Sequence, residues 1–539
     1  MMNRLESIVQ SFEAVPDVTI TSPFKAEGDL VVGQVAISVP GAVLTFDVNI
    51  VLTYPMQLQG MDAIRFVNRE LFSYRHVNAD GSVCIHSPHC PDLYKKIALD
   101  VNGVKEWIKV YYLGDKQDAH YEHIIVPILD ETIFLFTEVD HNFAKGEFGL
   151  FGYSKLSQRK NKEGRIINTH VIQDFEVGTG KTECKWSSSY KKMPRESKGL
   201  YYFMDVPPVE NKRFAVKNWN EIEPFVSQEF LNYMYRVGRD QKPVPILFGY
   251  RIPNGEVHWI VAVVPDGKFP NYGEKIPGTK EYLNRLSNTT ISWAQTRNSS
   301  YQYFFGRGAF PLEMTEKTVL IIGTGAIGSM VATTLVRGGC RFIALNDFDL
   351  KEPENVCRSE YSFSTGVVEK VDELELTLTK ISPFVEVVKS LGFLDVAKMA
   401  LNGGDLENYV MKDLEKAALI FDCSTDNDVA YILDKLEKPD KIFTLSVTNH
   451  AKELICAVPP NLYKWMNTMV EHLDKGEIQW YNPTGCWNPT FKASYNDIAS
   501  LVQFALRHIA HSVENKLSPR SFYLSTSFDK GFNIKLNEF

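Results

Sequence analysis

The sequence lacks the features that would mark a membrane or nucleic-acid-binding protein. No run approaches the roughly 18 uninterrupted apolar residues of a membrane-spanning helix, because the best candidate, 124–136, is broken by Asp130 and Glu131. Basic residues are not in excess: 58 Lys and Arg against 66 Asp and Glu give a formal net charge of −8. A nucleic-acid-binding domain is expected to be basic, so the composition argues against that class.

A secretion signal and a disulfide framework are also missing. Leu5, Ile8, Val9 and Phe12 recur at helical spacing among charges, which predicts an amphipathic N-terminal helix rather than a signal peptide. The eight cysteines are scattered through 539 residues and form no CxxC pair. This usage is typical of a reducing compartment, where single thiols can be reactive, and we expect a cytoplasmic protein.

The length excludes a single hydrophobic core. The hydrophobic share of 44% and charged share of 23% are those of an ordinary globular protein. A chain of 539 residues is expected to form several domains. We predict an α/β and α+β multidomain protein with boundaries at 1–117, 118–300 and 301–539.

The most informative stretch begins at Thr318. A short apolar run, 319–322, is followed by Gly323, Gly325 and Gly328 in a GxGxxG pattern and then by helical periodicity. This predicts a Rossmann-like strand, turn and helix in which the glycines allow backbone N–H groups to approach a phosphate. A second strand ends at Asp347, about twenty residues later, where a carboxylate can accept hydrogen bonds from a ribose.

The residues that follow favour a triphosphate over a nicotinamide dinucleotide. Asn355 and Arg358 come after the acidic turn, Lys370 comes ahead of Ile381-Ser382-Pro383, and a second acidic segment contains Asp422 and Asp426. Two cations suit a triphosphate, and a further carboxylate suits its magnesium ion. A nicotinamide site needs neither the two cations nor the magnesium ligand. A nicotinamide-dependent dehydrogenase remains the alternative, and measuring the binding of ATP and of NAD would distinguish the two.

The ordered series GxGxxG, DxD, NxxR, Lys and DCSTDN resembles the adenylating domain of ubiquitin-activating enzymes and of their bacterial ThiF/MoeB relatives. The resemblance implies that ATP and Mg²⁺ are bound and that the domain forms a homodimer. It assigns the phosphates to the three glycines, the ribose to Asp347 and the triphosphate charge to Arg358 and Lys370. Four residues have open or less defined roles: Asn355 binds a phosphate or fixes its loop, the metal ligand is Asp426 or Asp422, and Arg307 is a further candidate arginine.

The N-terminal third predicts a β-meander with strands at 30–39, 42–51 and 63–67, and Tyr54-Pro55 lies in the connection before the third strand. A segment that contains His76, Asn78 and Cys84 follows the meander. This resembles the ubiquitin-conjugating fold, and it implies that Cys84 is a catalytic thioester carrier. Asn78 would stabilise an oxyanion or brace the loop, and we expect His76 to be structural. The four potential zinc ligands from Cys84 to Cys90 lack the usual spacing of separated ligand pairs.

A second candidate nucleophile, Cys486, lies in the proline- and glycine-rich stretch 482–491 before a predicted helix at 495–508. Family members that form their own thioester carry a cysteine after the adenylating core, and this stretch resembles theirs. We expect the remaining cysteines near strands and motifs, Cys340, Cys357, Cys423 and Cys456, to be structural.

The middle of the chain predicts a connecting α+β domain without chemistry of its own. Residues 245–250 and 257–264 flank a Pro-Asn-Gly turn as a hairpin, in which His258 and Trp259 are expected in the core. A segment at 220–235 has helical periodicity.

The domain order is similar to that of the fused conjugating and activating ligases of type II CBASS anti-phage operons in bacteria. That resemblance implies a relay: a carrier protein, there a cGAS-like nucleotide synthase, is adenylated at its C-terminus and passed through Cys486 and Cys84 to an amine, usually lysine. Two rivals remain, a sulfur-carrier adenylyltransferase with a non-catalytic N-terminal module and a scaffold that kept the folds.

Overall fold

A computed structural model gives the architecture of the chain, which divides into two compact units. One unit comprises Met1–Cys184 and Arg195–Asn298, and the other comprises Lys185–Pro194 and Ser299–Phe539. The structure describes residues 2–56, 63–114, 116, 124–204, 206–211, 213–237, 244–264, 277–279, 289–390, 393, 414, 416–434, 440–472, 480–481, 490–528 and 531–538. None of the helices in these ranges is long and apolar enough to cross a membrane.

The first unit begins with a helix and an antiparallel four-stranded meander. The elements are α1 (Met2–Glu13), β1 (Val18–Glu27), β2 (Leu30–Val39), β3 (Ala42–Val51), β4 (Ile64–Val67) and α2 (Leu93–Trp107), with strand order β1-β2-β3-β4. One face of the sheet is apolar, as in Val35, Ile37 and Phe46, and it packs against both helices. The predicted N-terminal helix and the three predicted strands are confirmed, whereas β1 was not predicted.

The rest of this unit is a β-sheet that closes on itself. Its strands are β5 (Ile128–Phe136), β6 (Phe148–Lys160), β7 (Ile166–Val177), β8 (Gly180–Glu183), β9 (Arg195–Phe203), β12 (Val244–Arg251), β13 (Val257–Val264) and β14 (Ser292–Asn298). The order is β5-β14-β13-β12-β9-β6-β7-β8, and β5 also pairs with β7, so seven strands form a barrel. Four short elements lie between β9 and β12 in the chain: β10 (Val209–Glu210), β11 (Phe214–Ala215), α4 (Trp219–Ile222) and α5 (Gln228–Val237). The helix α3 (Ser188–Lys191), between β8 and β9 in the chain, belongs to the other unit.

The barrel confirms the predicted hairpin and corrects the helix beside it. His258 and Trp259 are buried, as expected for core residues. The single helical segment expected at 220–235 is instead α4, a 3₁₀ turn over Glu223–Phe225, and α5. Pro224 explains the break, because proline cannot donate a backbone hydrogen bond inside a helix.

The second unit is built on a mostly parallel sheet covered by helices on both faces. Its strands are β15 (Thr318–Ile322), β16 (Phe342–Asn346), β17 (Glu386–Ser390), β18 (Leu419–Asp422), β19 (Ile442–Val447), β20 (Glu453–Ala457), β23 (Phe522–Ser527) and β24 (Asn533–Glu538), while β21 (Trp480–Tyr481) and β22 (Thr490–Phe491) form a separate pair. The helices are α6 (Tyr301–Phe305), α7 (Leu312–Thr315), α8 (Ala326–Arg337), α9 (Lys370–Ile381), α10 (Asn427–Asp434), α11 (Leu462–His472) and α12 (Tyr495–Glu514).

The strand order of this sheet places a crevice beside its first strand. The order is β17-β16-β15-β18-β19-β20-β23-β24, parallel from β17 through β19. Residues of β15 alternate between two cores, Val319 and Ile321 facing α8 and α12, and Leu320 and Ile322 facing α10 and α11. Strand order reverses direction between β15 and β18, and such switch points are where open α/β sheets bind ligands. The α/β multidomain prediction is confirmed.

Candidate functional site

The glycine turn after β15 is packed tightly on one side and open on the other. Gly323 has φ 78°, and a Cβ there would lie 2.6 Å from the Ser424 Cα. A Cβ on Gly328 would lie 1.9 Å from the Gly323 carbonyl oxygen. Gly325 precedes α8, and a Cβ there would meet nothing within 4 Å. The turn therefore presents an open space at the N-terminal end of a helix, which favours an anion.

Asp347, at the end of β16, holds this turn in place. Its Oδ2 accepts hydrogen bonds from the Thr324 backbone N–H at 2.6 Å and from the Thr324 hydroxyl at 3.0 Å. Its Oδ1 accepts from the Asp349 N–H at 2.8 Å. The Tyr361 hydroxyl donates to the Thr324 carbonyl from the other side. The carboxylate predicted to face a ribose thus lies directly beside the glycine turn.

The three other predicted phosphate-side residues belong to the segment that follows. Lys370 starts α9 and is not a solvated surface charge: its Nζ lies 2.8 Å from the Asp349 carboxylate, and its side chain is 12% exposed. Asn355 Oδ1 accepts from the Glu352 N–H at 2.9 Å, so its observed contact is the one expected of a residue that fixes the loop. Arg358 is half-buried at the end of a 3₁₀ helix, Pro353–Arg358.

A buried ion pair braces this segment and was not predicted. Lys351 Nζ lies 2.6 Å from Glu373 Oε2, and the two side chains are 2% and 1% exposed. The same Nζ donates to the Ser362 carbonyl and to the Thr365 hydroxyl, both at 2.6 Å. Lys351 lies two residues after the DxD motif, but nothing in its spacing to Glu373 distinguishes it from a surface lysine. Only the fold reveals the pairing.

Two carboxylates after β18 were candidates for the metal ligand. Asp422 is fully buried, and its carboxylate accepts from the Ser424 N–H at 3.1 Å, the Ser424 hydroxyl at 2.6 Å and the Thr444 hydroxyl at 3.2 Å. Asp426 is half-buried at the start of α10, where Oδ1 accepts from the Asp428 N–H at 2.8 Å. The geometry leaves Asp426 as the ligand candidate, because Asp422 is enclosed.

The segment that joins these carboxylates reads DCSTDN, one residue longer than the DCTDN usual in the family that it resembles. Thr425 takes φ 57°, in the left-handed region that β-branched residues rarely occupy. This left-handed residue turns the chain between the two carboxylates, and Asp426 lies directly before α10.

Burial raises the pKa of Asp422 to about 6 from 3.8, in spite of its hydrogen bonds from Ser424 and Thr444. Because the folded-state pKa lies above the unfolded value, this group contributes stability that is present below pH 4 and is lost as the pH rises through about 6. The stability of Asp422→Asn relative to the wild type should therefore rise, by up to about 3 kcal/mol, between pH 4 and 7.

Urea denaturation at a series of pH values measures this difference. Asp428→Asn, at an exposed position on α10, is the matched control and should keep the wild-type pH dependence. Parallel stability curves for Asp422→Asn and the wild type across this range would contradict the assignment.

The predicted structural cysteines fall into two groups. Cys340, Cys423 and Cys456 are buried, and burial raises the pKa of each thiol, that of Cys340 to about 12. Cys357 departs from this, since it is exposed in the 3₁₀ helix, where its thiol donates to the Glu354 carbonyl at 3.3 Å. Cys486 lies outside the described residues.

Arg307 is exposed in the segment before α7. The neighbouring Phe310 N–H donates to the Gly338 carbonyl at the C-terminal end of α8. Since α8 has 12 residues, this end is about 18 Å from the glycine turn. Arg307 therefore lies near the C-terminal end of α8, whereas the candidate phosphate site of the same chain lies at the N-terminal end of this helix.

The candidate thiol site of the first unit lies after a short hairpin. Cys84 is half-buried, and its Sγ lies 3.8 Å from His86 Nε2. Its backbone N–H donates to the His76 carbonyl at 2.7 Å, and Val77 pairs with Val83. These contacts fix the cysteine backbone while the side chain lines a cavity of about 520 Å³.

Asn78 belongs to the hairpin that leads to this cysteine. Its Nδ2 donates to the Ser82 hydroxyl at 3.0 Å, and its backbone N–H donates to the Ser82 carbonyl at 2.7 Å. Ser82 in turn donates to Asp80, which also pairs with Arg65 at 3.1 Å. Burial opposes ionisation of Asp80, but these hydrogen bonds and the guanidinium hold its pKa below the usual range. The amide of Asn78 has the contacts of a loop brace.

The cavity beside Cys84 also contains a polar cluster that was not predicted. Asp100 of α2 is buried, and it accepts from the Tyr54 hydroxyl at 2.7 Å, from Lys96 Nζ at 2.5 Å and from the Ser87 hydroxyl. Burial and the nearby carboxylate raise the pKa of Tyr54, which keeps this phenol a neutral donor. Tyr54, Lys96 and Asp100 belong to no motif that includes Cys84, so the sequence pattern does not reveal the cluster.

Comparison with known proteins confirms the resemblance to ThiF-type adenylating enzymes that the motifs predicted. Residues 304–438 match the ThiF family. The chain is 23% identical over 397 residues to the ATP-dependent ubiquitin transferase-like protein Cap2 of Enterobacter hormaechei subsp. hoffmannii (strain UCI 50), covering 67% of this chain and 63% of that protein. It is 25% identical over 175 residues to ubiquitin-like modifier-activating enzyme 5 of Caenorhabditis elegans, covering 32% and 37%.

Each of these matches spans less than two thirds of the relative. Among solved structures, PaaA aligns at TM-score 0.29 with 18% identity over 42% of this chain and 65% of that one. Escherichia coli MccB with ATP aligns at TM-score 0.28 with 15% identity over 42% and 64%. Likeness at these TM-scores adds nothing to the fold described above.

Proposed function

We propose that the chain is an ATP-dependent protein-conjugating enzyme. Residues 301–539 form the adenylating domain, 1–117 a ubiquitin-conjugating-like domain and 118–300 the connection. One observation carries the proposal: the glycine turn, Asp347 and Asp426 follow three neighbouring parallel strands, β15, β16 and β18, at the switch point of the sheet. Similarity to a ubiquitin transferase-like protein over 67% of the chain supports it.

The residues at this edge fit ATP. The open side of Gly325 leaves room for a phosphate that any side chain there would occupy, and Gly323 and Gly328 keep the turn narrow. Arg358 and Lys370 supply positive charge for the triphosphate, and Asp347 accepts from the ribose. Bound ATP activates the C-terminal carboxylate of a carrier protein, with loss of pyrophosphate. Arg358 would stabilise the charge that develops on the departing group.

Asp426 is the residue that would hold Mg²⁺. Among the residues that the structure describes, no three His, Cys, Asp or Glu side chains converge as a metal site. One carboxylate with phosphate oxygens and water is the ligand set that Mg²⁺ commonly takes at nucleotide sites, so a single aspartate suffices.

The acyl group then passes between thiols. The Cys486 thiolate attacks the activated carbonyl and AMP leaves; the Cys84 thiolate attacks the resulting thioester and Cys486 leaves as a thiolate. His86 Nε2, 3.8 Å from Cys84 Sγ, accepts the thiol proton. An amine finally attacks the carbonyl of the Cys84 thioester, the C–S bond breaks and Cys84 leaves as a thiolate, and the proton lost by the amine passes to water as the amide forms. Asn78 keeps the hairpin in place for these steps.

The partners follow from the family resemblance. The proposed carrier is a cGAS-like nucleotidyltransferase with a flexible C-terminus, the acceptors are lysine-bearing proteins, and the setting is anti-phage defence in the bacterial cytoplasm. A homodimer through the adenylating domain belongs to the same proposal.

Mass spectrometry of the purified chain incubated with ATP, Mg²⁺ and lysate of its own organism tests the function. We expect a thioester adduct on Cys84 or Cys486 that hydroxylamine removes, together with amide-linked adducts that resist it. Omitting ATP, or supplying NAD in its place, should abolish both classes of adduct. Adducts that form without ATP, or NAD binding in preference to ATP, would contradict the proposal.

A further inference from the structure

We infer that Arg213, which belongs to the connecting region rather than to the conjugating-like domain, is a positioning residue for the Cys84 thiol. The inference rests on the proposed function, because it concerns the same cysteine. Arg213 lies between β10 and β11, and it is 6% exposed. Its Nη1 donates to the Tyr74 carbonyl at 2.6 Å and to the Val77 carbonyl at 2.7 Å.

These two carbonyls flank the turn on which the Cys84 backbone rests. Between them lies His76, whose φ of 55° is rare for a residue with a side chain. The His76 carbonyl accepts from the Cys84 N–H at 2.7 Å, and Val77 pairs with Val83. A turn with an unusual backbone conformation persists only where its surroundings fix it. The guanidinium supplies charge-assisted hydrogen bonds to the carbonyls on both sides of that residue.

The backbone that carries Arg213 is itself held in place. The Arg213 carbonyl accepts from the Ile125 N–H at 2.7 Å, and the Ala215 N–H donates to the Ile125 carbonyl at 2.9 Å. Phe214 packs edge-on against Phe72, with ring centroids 5.3 Å apart. A guanidinium fixed at its base in this way can clamp the 74–77 turn, and a flexible surface arginine could not. The connecting region is thereby part of the thiol site rather than a spacer.

Two substitutions separate positioning from general stability. Arg213→Met removes both hydrogen bonds and the charge, whereas Arg213→Lys keeps a charge and a donor. Lys217→Met is the matched control, because Lys217 is a cation of the same segment whose side chain is 65% exposed. Hydrogen exchange of the backbone amides at 76–84 and alkylation by iodoacetamide, followed by mass spectrometry across pH, are the two readouts. Cys90 is the internal reference thiol.

We expect exchange at Cys84 and its hairpin to accelerate about tenfold or more in Arg213→Met, in keeping with loss of a charged hydrogen-bond donor. The rate of Cys84 alkylation at each pH should change relative to that of Cys90, because the turn that fixes the Cys84 backbone is released. Arg213→Lys should recover part of both effects, and Lys217→Met should match the wild type. Neither readout needs a carrier or ATP, so the outcome is independent of whether conjugation occurs.

Two results would overturn the inference. One is a folded Arg213→Met protein whose Cys84 exchange and alkylation equal those of the wild type. The other is a change spread equally over Cys84, Cys90 and the barrel amides, which is the signature of a structural residue alone. If Arg213→Met does not fold, the test uses Arg213→Lys. If this variant changes the alkylation of Cys84 and of Cys90 by the same factor relative to the wild type, Arg213 is not a positioning residue.

Discussion

Replacing Cys84 by alanine should abolish the amide-linked product, with a fall of at least about 10³-fold, because a chain without this nucleophile has no route to the final thioester. ATP–pyrophosphate exchange should stay within about twofold of the wild-type rate, since adenylation precedes the thiol steps. A thioester adduct should accumulate on Cys486. The amide-linked product is quantified by mass spectrometry, and the rate of ATP–pyrophosphate exchange is measured on the same sample.

Cys90→Ala is the matched control for this experiment. Cys90 is half-buried six positions after Cys84, so it tests whether any nearby thiol suffices. Unaltered product in Cys84→Ala would favour the sulfur-carrier adenylyltransferase instead, with 1–117 as a binding module. Loss of product together with loss of exchange would indicate a folding defect, which the thermal transition of the variant would reveal.

Replacing Lys351 by methionine should destabilise the second unit by about 3–5 kcal/mol, because the Glu373 carboxylate would remain buried without its cation. The pair is nearly inaccessible, at 2% and 1% side-chain exposure, and Glu373 also accepts from the Thr365 hydroxyl at 2.7 Å. Burial opposes ionisation of Glu373, but the hydrogen bonds from Lys351, Ser362 and Thr365 together with the Lys351 charge hold its pKa below the usual value. Urea denaturation near neutral pH measures the loss.

A double-substitution cycle measures the interaction free energy between Lys351 and Glu373 separately from the effect of replacing each residue alone. Lys351→Met with Glu373→Met should recover much of the lost stability, since an apolar pair leaves no buried charge. Lys389→Met is the control: it removes a cation that contacts Asp372 and Glu375 of α9, but at 40% exposure such pairs contribute about 1 kcal/mol or less. A loss in Lys351→Met no larger than that of the control would refute the assigned role.

Local pattern predicted the elements whose signals lie close together in sequence. The glycine turn, the strand ending at Asp347 and the three meander strands follow from apolar periodicity and turn residues within about twenty positions. The N-terminal strand β1 escaped prediction because its residues are mostly exposed, which gives little apolar alternation. The break at Pro224 was a local signal that could have been used.

Long-range pairings escaped prediction for a different reason. Arg213 reaches carbonyls 136 and 139 residues away, and a backbone carbonyl leaves no trace in side-chain pattern. Lys351 and Glu373 are typical surface residue types, and only their burial shows that they form a pair. The polar cluster around Asp100 combines residues from a loop, a turn and α2, whose proximity is set by the fold.

Closure of the barrel through the β5–β7 pairing restricts where further strands could be added. Sheet edges offer unpaired N–H and C=O groups to another chain, and a closed ring of strands withholds them. Among the described strands of the first unit, such edges remain at the meander ends, at the four-residue β8 and at the two-residue β10 and β11, whereas in the second unit they remain at β17 and β24 and at the short pair β21 and β22. Any oligomer or fibril that grows by strand addition would therefore start at one of these edges and not along the seven closed strands of the barrel.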